Sequence, residues 1–227
     1  MDGPVAIAWS GGKDSTLALL DARAAGERVE TFVTMFDAGG ASLSHALPPA
    51  LVAAQAAALG GRSLAVRVEP GAYAAAFDAA LSQLFAGGHR RMVFGDIDLE
   101  AHRRWIEAAC SRAGIAPLFP LWSRPRAEVA AAVIATGIRA RVVCVRSDVL
   151  DADFCGRNYD AAFLADLPAA ACPCGENGEF HTFVFDAPGM TAALDFRAWP
   201  RRVLPAEPPQ RPAALVVEPL ELAGAGR

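Results

Sequence analysis

A strand, a loop of small residues and a helix that ends near glycine recur along the first two-thirds of the chain. Apolar runs predict strands at residues 4–9, 29–36, 64–68, 92–94 and 142–145. Helices are predicted at 14–25, 49–59, 73–85, 99–113 and 126–136, each with a glycine within two residues of its end. Strands that alternate with helices of this length predict right-handed βαβ units and a parallel sheet. The expected fold class is therefore α/β.

The pattern changes near residue 147. Residues 148–156 are polar and irregular, 159–167 predict a short helix, 168–179 are rich in Pro, Cys and Gly, and 180–185 predict a strand. We therefore expect two regions, a sheet domain at 1–147 and a smaller C-terminal region at 148–227 that packs against it.

Composition narrows the class of protein. With 227 residues, 53% of them hydrophobic and 20% charged, the chain can bury a sizeable core. Its net charge of -4 gives no strong nucleic-acid signal. The start lacks the features of a signal peptide, and charges or glycines interrupt the alanine-rich stretches, so no membrane span is expected. Five cysteines, an odd number, indicate free thiols in a cytoplasmic protein, and a homo-oligomer is compatible with the sequence.

Lys13 is the only lysine in the chain, and the other 20 of its 21 Lys and Arg residues are arginines. It lies in the run Ser-Gly-Gly-Lys-Asp-Ser at 10–15, between the first strand and the first helix. Gly11 and Gly12 let the backbone turn and approach a ligand, and N–H groups at a helix start face an anion. Lys13 adds a full charge, Asp14 can cap the helix or bind Mg²⁺, and Ser15 adds a hydroxyl. The run therefore predicts a polyphosphate site.

Two other interpretations of this run were considered. A Walker loop requires a glycine five residues before the Gly-Lys pair and Ser or Thr after the lysine, but Ile7 and Asp14 occupy those positions. A tight turn capped by Asp14 or Ser15 accounts for one glycine and one capping residue, but not for the single lysine.

A second dense run occupies residues 174–183. It contains Glu176, Asn177, Glu179 and His181, and two glycines shape the loop. Carboxylates can bind a cation or metal and a histidine can transfer protons, so the run indicates a polar substrate pocket. The alternative is a glycine loop with surface charges that enters an edge strand.

The run at 10–15 resembles the PP-loop of the N-type ATP pyrophosphatases, also called adenine nucleotide α-hydrolases. The run at 174–183 resembles the fingerprint of their diphthine–ammonia ligase branch. Weaker similarities lie at 94–97, 105, 120–122, 150–151 and 156–157, so the resemblance spans about residues 4–190. It implies a Rossmann-like, HUP-type parallel sheet with helices on both faces and a C-terminal substrate region.

The resemblance also implies an activity. Members of the branch use ATP to adenylate the carboxylate of diphthine, a modified histidine on a translation elongation factor, and ammonia then displaces AMP. The implied nucleotide-side residues are Ser10, Gly11, Gly12, Lys13, Asp14, Ser15, Gly95 and Asp96. The implied substrate-side residues are His45, Glu176, Asn177, Glu179 and His181. Catalytic roles fall on Lys13, Asp14, Glu176, Glu179 and His181.

Several assignments stay open at this point. Asp14 and Asp96 are the candidate Mg²⁺ ligands, and Glu176, Glu179 and His181 are equal candidates for handling ammonium. Trp105 and Trp122 are candidates for a cation–π contact with a trimethylammonium group, against the alternative that both are core residues. Cys172 and Cys174, with Cys155 and His181, are weighed as zinc ligands, but their C-x-C spacing is not the usual one.

Three alternative functions remain. The enzyme could act on a different carboxylate. It could thiolate tRNA, although that reaction needs a catalytic cysteine pair and a basic surface. It could also be a non-catalytic module that binds an adenine nucleotide and forms no AMP.

Overall fold

The centre of the molecule is a five-stranded parallel sheet, seen in a computed structural model that describes residues 3–43, 45–208 and 213–224. The strands are β1 (Val5–Ala8), β2 (Val29–Phe36), β3 (Arg62–Arg67), β4 (Arg91–Val93) and β5 (Ala116–Leu118), in the spatial order β3-β2-β1-β4-β5. The predicted α/β fold class is confirmed.

Five helices flank this sheet. They are α1 (Lys13–Ala24), α2 (Pro49–Ala58), α3 (Tyr73–Ala86), α4 (Glu100–Ala113) and α5 (Arg126–Ala135). Successive residues of β1 show how the two faces are covered. Val5 and Ile7 join the core cluster that includes α1, α2 and α5, whereas Ala6 joins the cluster formed with α3 and α4. Side chains of a strand alternate between faces, so one apolar strand serves two cores.

The strand order places a ligand site between β1 and β4. The chain builds outward from β1 to β2 and β3, then returns to the other side of β1 for β4 and β5. A crevice forms at the carboxyl ends of the two strands where the direction of winding reverses. The loop at 10–15 follows β1 and Gly95 follows β4, so both predicted nucleotide segments meet there.

The prediction that residues 142–145 continue the parallel sheet is wrong. This strand, β6 (Arg139–Arg146), pairs antiparallel with β7 (Phe180–Asp186) and with β10 (Leu215–Val217). The connection from β6 to β7 runs through an irregular segment and the short helix α6 (Ala161–Asp166), not through a helix that crosses the parallel sheet. The division of the chain into two regions at residue 147 stays a prediction. The strand β6 lies before that boundary in the sequence but belongs to the second sheet.

The remaining strands are short. β9 (Arg202–Leu204) extends the second sheet beyond β10, and β8 (Phe196–Ala198) pairs with β11 (Leu220–Leu222). The pattern of apolar residues did not predict β5, whose three residues include Pro117. A proline is tolerated there because β5 is an edge strand, where one backbone N–H is not needed for pairing. Among the helices of the described ranges, none has the length and apolar character to cross a membrane.

Candidate functional site

One cavity of about 410 Å³ lies at the carboxyl ends of β1, β2 and β4, and residues of the segment at 174–182 also line it. The predicted residues that line it are Ser10, Lys13, Asp14, Ser15, His45, Gly95, Asp96, Glu176 and His181. Gly11, Gly12, Asn177 and Glu179 are not among the lining residues. The cavity therefore brings together side chains from both dense runs of the sequence.

The loop at 10–15 turns through its glycines. Gly11 has φ +80°, a conformation that L side chains rarely adopt. Gly12 precedes α1 as its N-cap and makes no side-chain cap bond, so the predicted alternative of Asp14 or Ser15 as the cap is wrong. The Ser15 hydroxyl instead donates to the Gly12 carbonyl at 3.0 Å. With no capping side chain, the start of α1 is suited to an anion.

Gly95 brings the end of β4 against this loop. A methyl group at residue 95 would lie 3.0 Å from the Ser15 nitrogen and 3.1 Å from the Asp14 carbonyl carbon. These are backbone atoms, which cannot move aside as a flexible side chain would. Glycine is therefore required for β4 to approach the first turn of α1, which places Gly95 and Asp96 beside the predicted phosphate site.

Lys13 is buried, with only 3% of its side chain exposed. Its ammonium donates to the Asp14 carboxylate at 2.7 Å and to the Cys174 carbonyl at 2.5 Å. The rings of Tyr159 and Phe180 lie 5.4 and 5.3 Å from the nitrogen, within cation–π range. Burial alone would lower the pKa of Lys13, but its charge interaction and hydrogen bond with Asp14, together with the charge interactions with Cys174 and Glu176, raise the pKa above its ordinary value. Lys13 is therefore a fixed positive charge in the cavity wall.

Three contacts join the loop to strand β7 and the segment before it. Besides the bond to Cys174, the Lys13 backbone N–H donates to the Thr182 hydroxyl at 3.1 Å. The Val184 N–H donates to the Gly11 carbonyl at 2.9 Å. The two dense runs are thus directly bonded, although the sequence separates them by about 160 residues.

Glu179 points into its own loop. Its side chain is buried, and its carboxylate accepts from the Cys172 N–H at 2.9 Å, the Asn177 N–H at 2.9 Å and the Asn177 side-chain amide at 2.8 Å. Burial would raise the pKa of Glu179, but these donors lower it below its ordinary value. Asn177 is held further by Arg146, which donates to its carbonyl at 2.8 Å. We infer that Glu179 and Asn177 shape the loop.

Replacing Glu179 with glutamine is expected to lower the free energy of unfolding by about 2–3 kcal/mol, because an amide placed among three N–H donors cannot accept from all of them. Urea denaturation measures the change. The control is Glu69→Gln, at an exposed carboxylate that pairs with exposed Arg67, where a change of under about 0.5 kcal/mol is expected. Equal effects of the two substitutions would contradict the structural role of Glu179.

Glu176 faces the cavity instead. Burial, reinforced by the nearby negative charge of Asp14, raises its pKa to about 7, while Lys13 and Arg126 act in the opposite direction. A carboxyl group with this pKa exchanges a proton near neutral pH, which is what a general acid or base requires. Of the two glutamates, Glu176 is therefore the one suited to proton transfer.

His45 and His181 form a pair in the cavity wall, with ring centroids 4.9 Å apart. The His45 Nδ1–H donates to the Thr182 carbonyl at 2.5 Å, which leaves Nε2 as an acceptor. Burial lowers the pKa of His45 to about 4 and that of His181 to about 3, so both rings are neutral at pH 7. Because the unfolded chain takes up these protons first, acidification below about pH 6.5 destabilises the fold.

The two predicted Mg²⁺ ligands have different environments. The Asp14 Oδ1 atom is buried with no hydrogen-bond partner, while its Oδ2 pairs with Lys13. Asp96 accepts from the His102 Nδ1–H through Oδ1, and this bond raises the pKa of His102. An orphaned carboxylate oxygen beside a predicted polyphosphate site fits a hard cation that keeps most of its waters.

Within the described ranges, no group of three or more His, Cys, Asp or Glu side chains is placed to hold a metal ion. Cys172 and Cys174 instead contact Arg126: its guanidinium donates to the Cys172 sulfur at 3.4 Å, and the Cys174 thiol donates to its carbonyl at 3.0 Å. All five cysteines are free thiols. The zinc alternative thus finds no support in this arrangement.

Aromatic side chains of α3 and α4 line one part of the cavity, here called the aromatic end. Phe77 and Trp105 have ring centroids 5.1 Å apart, and Tyr73 lies 5.7 Å from Trp105. Trp105 lines the cavity as one candidate for a cation–π contact, whereas Trp122 is outside it and stacks with Arg103 at 4.5 Å. Aromatic side chains of this kind can stack on a planar ring system.

Sequence reasoning missed His102 and Gln55. His102 is only six residues beyond Asp96, in the first turn of α4, and that proximity was a usable signal. Gln55 is the single polar residue of α2, yet it is completely buried. A lone amide in an otherwise apolar helix could have marked it as a residue with an internal partner.

Known proteins resemble the chain across both halves. The family model for the diphthamide synthase N-terminal domain matches residues 3–117, and that for the diphthamide synthase C-terminal domain matches residues 126–199. The diphthine–ammonia ligases of Homo sapiens and Bos taurus are each 31% identical to the chain over 99 residues. The chain spans only part of these curated relatives, since the match covers 41% of the chain and 37% of each relative. The two family matches include both dense runs of the sequence.

Proposed function

The chain belongs to the diphthamide synthase family, and from this premise we propose that it is an AMP-forming ligase that joins ammonia to a carboxylate, with diphthine as the first candidate. One observation carries the proposal. The loop at residues 10–15, here called the phosphate loop, and the segment at 174–182 line one cavity and are bonded through Lys13. A nucleotide and an acceptor could therefore meet within it.

The proposed reaction has two steps. A carboxylate oxygen attacks the α-phosphorus of ATP, the bond from that phosphorus to the α–β bridging oxygen breaks, and pyrophosphate leaves. Ammonia then attacks the acyl carbon, and AMP leaves with the oxygen that came from the carboxylate. Starting from ammonium, the reaction yields the amide, AMP, pyrophosphate and one proton.

The loop would stabilise the first step. Negative charge grows on the departing pyrophosphate, and fixed donors placed before the reaction lower the energy of that charge. The start of α1 and the hydroxyls of Ser10 and Ser15 face this part of the cavity. Lys13 supplies a permanent positive charge in the wall, while the aromatic end is the place for the adenine ring.

Asp14 would hold Mg²⁺ through its unpartnered Oδ1, with Asp96 as the second carboxylate nearby. When bound, the ion neutralises polyphosphate charge. Asp14 also pairs with the Lys13 ammonium through Oδ2. One carboxylate would therefore bind both Lys13 and the Mg²⁺ that accompanies the nucleotide.

Ammonium must lose a proton before it can attack. Glu176 is the base we assign to this step, because it faces the cavity and titrates near neutral pH, whereas Glu179 is bonded within its loop. The neutral rings of His45 and His181 offer acceptors to the incoming nitrogen.

We propose a cytoplasmic location for the protein, because a reducing cytoplasm suits its five free thiols.

The decisive experiment supplies Mg-ATP, ammonium and an elongation factor that carries diphthine labelled with ¹⁸O in its carboxylate. We expect AMP and pyrophosphate as products, with ¹⁸O in the AMP. ADP and phosphate would overturn the proposal. Binding of ATP without any turnover would indicate a nucleotide-binding module, and AMP formation with another carboxylate or with tRNA would move the assignment to that acceptor.

The pH dependence of the rate tests the role of Glu176. With saturating substrates, the wild-type rate is expected to rise through about pH 7 as Glu176 ionises. Glu176→Gln should lose that rise and slow turnover by roughly 10²- to 10⁴-fold, the usual contribution of a general base. Glu100→Gln, at an exposed carboxylate on α4, should keep the wild-type profile.

The same shift also affects stability. Because the folded-state pKa of Glu176 is raised, its proton stabilises the fold below the ordinary glutamate pKa, and this contribution is lost as the pH rises through 7. Urea denaturation at pH 8 should therefore find Glu176→Gln more stable than the wild type.

In the rate experiment, a rise in turnover near pH 7 that persists in Glu176→Gln would assign the proton transfer to another group.

A further inference from the structure

Gln55 makes a set of hydrogen bonds that no other side chain of α2 could make. Its carbonyl oxygen accepts from the Trp9 indole N–H at 3.0 Å, and its amide nitrogen donates to the Gly11 carbonyl at 2.9 Å and to the Val184 carbonyl at 2.6 Å. Because an indole nitrogen only donates and carbonyls only accept, the orientation of the amide is unambiguous. These three contacts join Gln55 to Trp9 just before the phosphate loop, to Gly11 within it, and to Val184 of β7.

The contact with Gly11 controls one peptide unit. The Gly11 carbonyl accepts from both Gln55 and the Val184 N–H, so its direction is fixed by two donors. In a planar trans peptide the carbonyl and the following N–H point in opposite directions. The Gly12 N–H therefore faces away from Gln55, and it donates at 3.2 Å to the hydroxyl of Ser10, a residue that lines the cavity.

Glycine makes this peptide easy to turn over. Gly11 has φ +80° and carries no side chain that would resist rotation. A flipped peptide would direct a carbonyl oxygen, not an N–H, toward the phosphate side, and would repel an anion. In this site the flip would cost the two hydrogen bonds to the Gly11 carbonyl and the one from the Gly12 N–H to Ser10.

We propose that Gln55 is a positioning residue that holds the Gly11–Gly12 peptide in the orientation that binds pyrophosphate. The same amide bonds to the Val184 carbonyl and so fixes the distance between the phosphate loop and the strand that carries His181. The assignment rests on the proposed function, since it assumes that the loop receives a polyphosphate.

Calorimetric titration with two probes, inorganic pyrophosphate and adenosine, tests the assignment in magnesium-containing buffer. Gln55→Met keeps the size of the side chain but removes its hydrogen bonds. We expect pyrophosphate affinity to fall at least about tenfold while adenosine affinity stays within about twofold. The matched control is Gln83→Met, an exposed glutamine on α3, which should change neither affinity.

Gln55→Glu extends the test if the methionine variant does not fold. A protonated glutamic acid can accept from Trp9 and donate to one of the two carbonyls, so an intermediate loss of pyrophosphate affinity is expected. Equal weakening of both probes, or unchanged pyrophosphate affinity in either variant, would overturn the role of Gln55. A wild-type protein that binds neither probe would instead contradict the proposed function and the assignment built on it.

Discussion

Replacing Lys13 with arginine is expected to lower the rate of AMP formation by roughly 10²- to 10³-fold, the loss typical of removing one preorganised donor. The ammonium lies over the rings of Tyr159 and Phe180 and donates to Asp14 and the Cys174 carbonyl. A guanidinium is planar and larger, so it cannot occupy that space without moving the rings or the loop. The positive charge would be retained but misplaced.

The control variant makes the reverse substitution, arginine to lysine, at an exposed position. Arg28→Lys alters a side chain that is 64% exposed and pairs with Glu30 on the surface, and its turnover should match the wild type. Thermal unfolding followed by circular dichroism separates loss of chemistry from loss of fold. A folded Lys13→Arg variant with wild-type turnover would exclude Lys13 from the mechanism.

Gly12→Ala is expected to reduce turnover by roughly 10³-fold, because the added methyl would displace the loop from His45 and Thr182, which line the cavity. It would overlap the His45 ring carbon Cε1, and it would lie 2.9 Å from His45 Nδ1 and 3.2 Å from the Thr182 carbonyl. The backbone at Gly12 has φ −97°, which alanine can adopt, so the effect is one of space and not of conformational strain. Steady-state AMP formation measures the loss.

Gly87→Ala provides the matched control. Its φ is −78°, and the nearest atoms to an added methyl are backbone oxygens at 3.4 Å, an ordinary contact distance. This variant should keep wild-type turnover and thermal stability. A Gly12→Ala variant as active as Gly87→Ala would show that the packing of His45 on the loop is not needed for the reaction.

Local patterns predicted the elements of the fold but not all of their partners. The alternation of strands with glycine-terminated helices is a short-range signal, and it gave the parallel sheet from β1 to β4. The strand β6 has the same apolar character, yet it pairs antiparallel with β7, which begins 34 residues later. Which strand it joins depends on contacts that no local period encodes. The strand β5, with three residues and a proline, has too little pattern to detect.

In the site, too, local patterns predicted residues but not the contacts between them. A single lysine between glycines and a helix marked the phosphate loop, but the bond from Lys13 to Cys174 connects positions 161 residues apart. Glu176 and Glu179 are the same residue type in one short run, and sequence reasoning treated them alike. The turns at Gly175 and Gly178, with φ +71° and +79°, shape the loop that directs one carboxylate to the cavity and the other inward.

A fragment that stops at residue 199, where the C-terminal family match ends, would leave one edge of β6 without a paired strand. The strand β10 pairs with that side, and Glu218 directly beyond it accepts from Arg141 at 2.9 Å. Without them, a row of backbone N–H and C=O groups on a valine-rich strand would be open to pairing between molecules, which is a route to aggregation. The unit that must be produced intact therefore extends to at least residue 218, beyond the part that sequence similarity delimits.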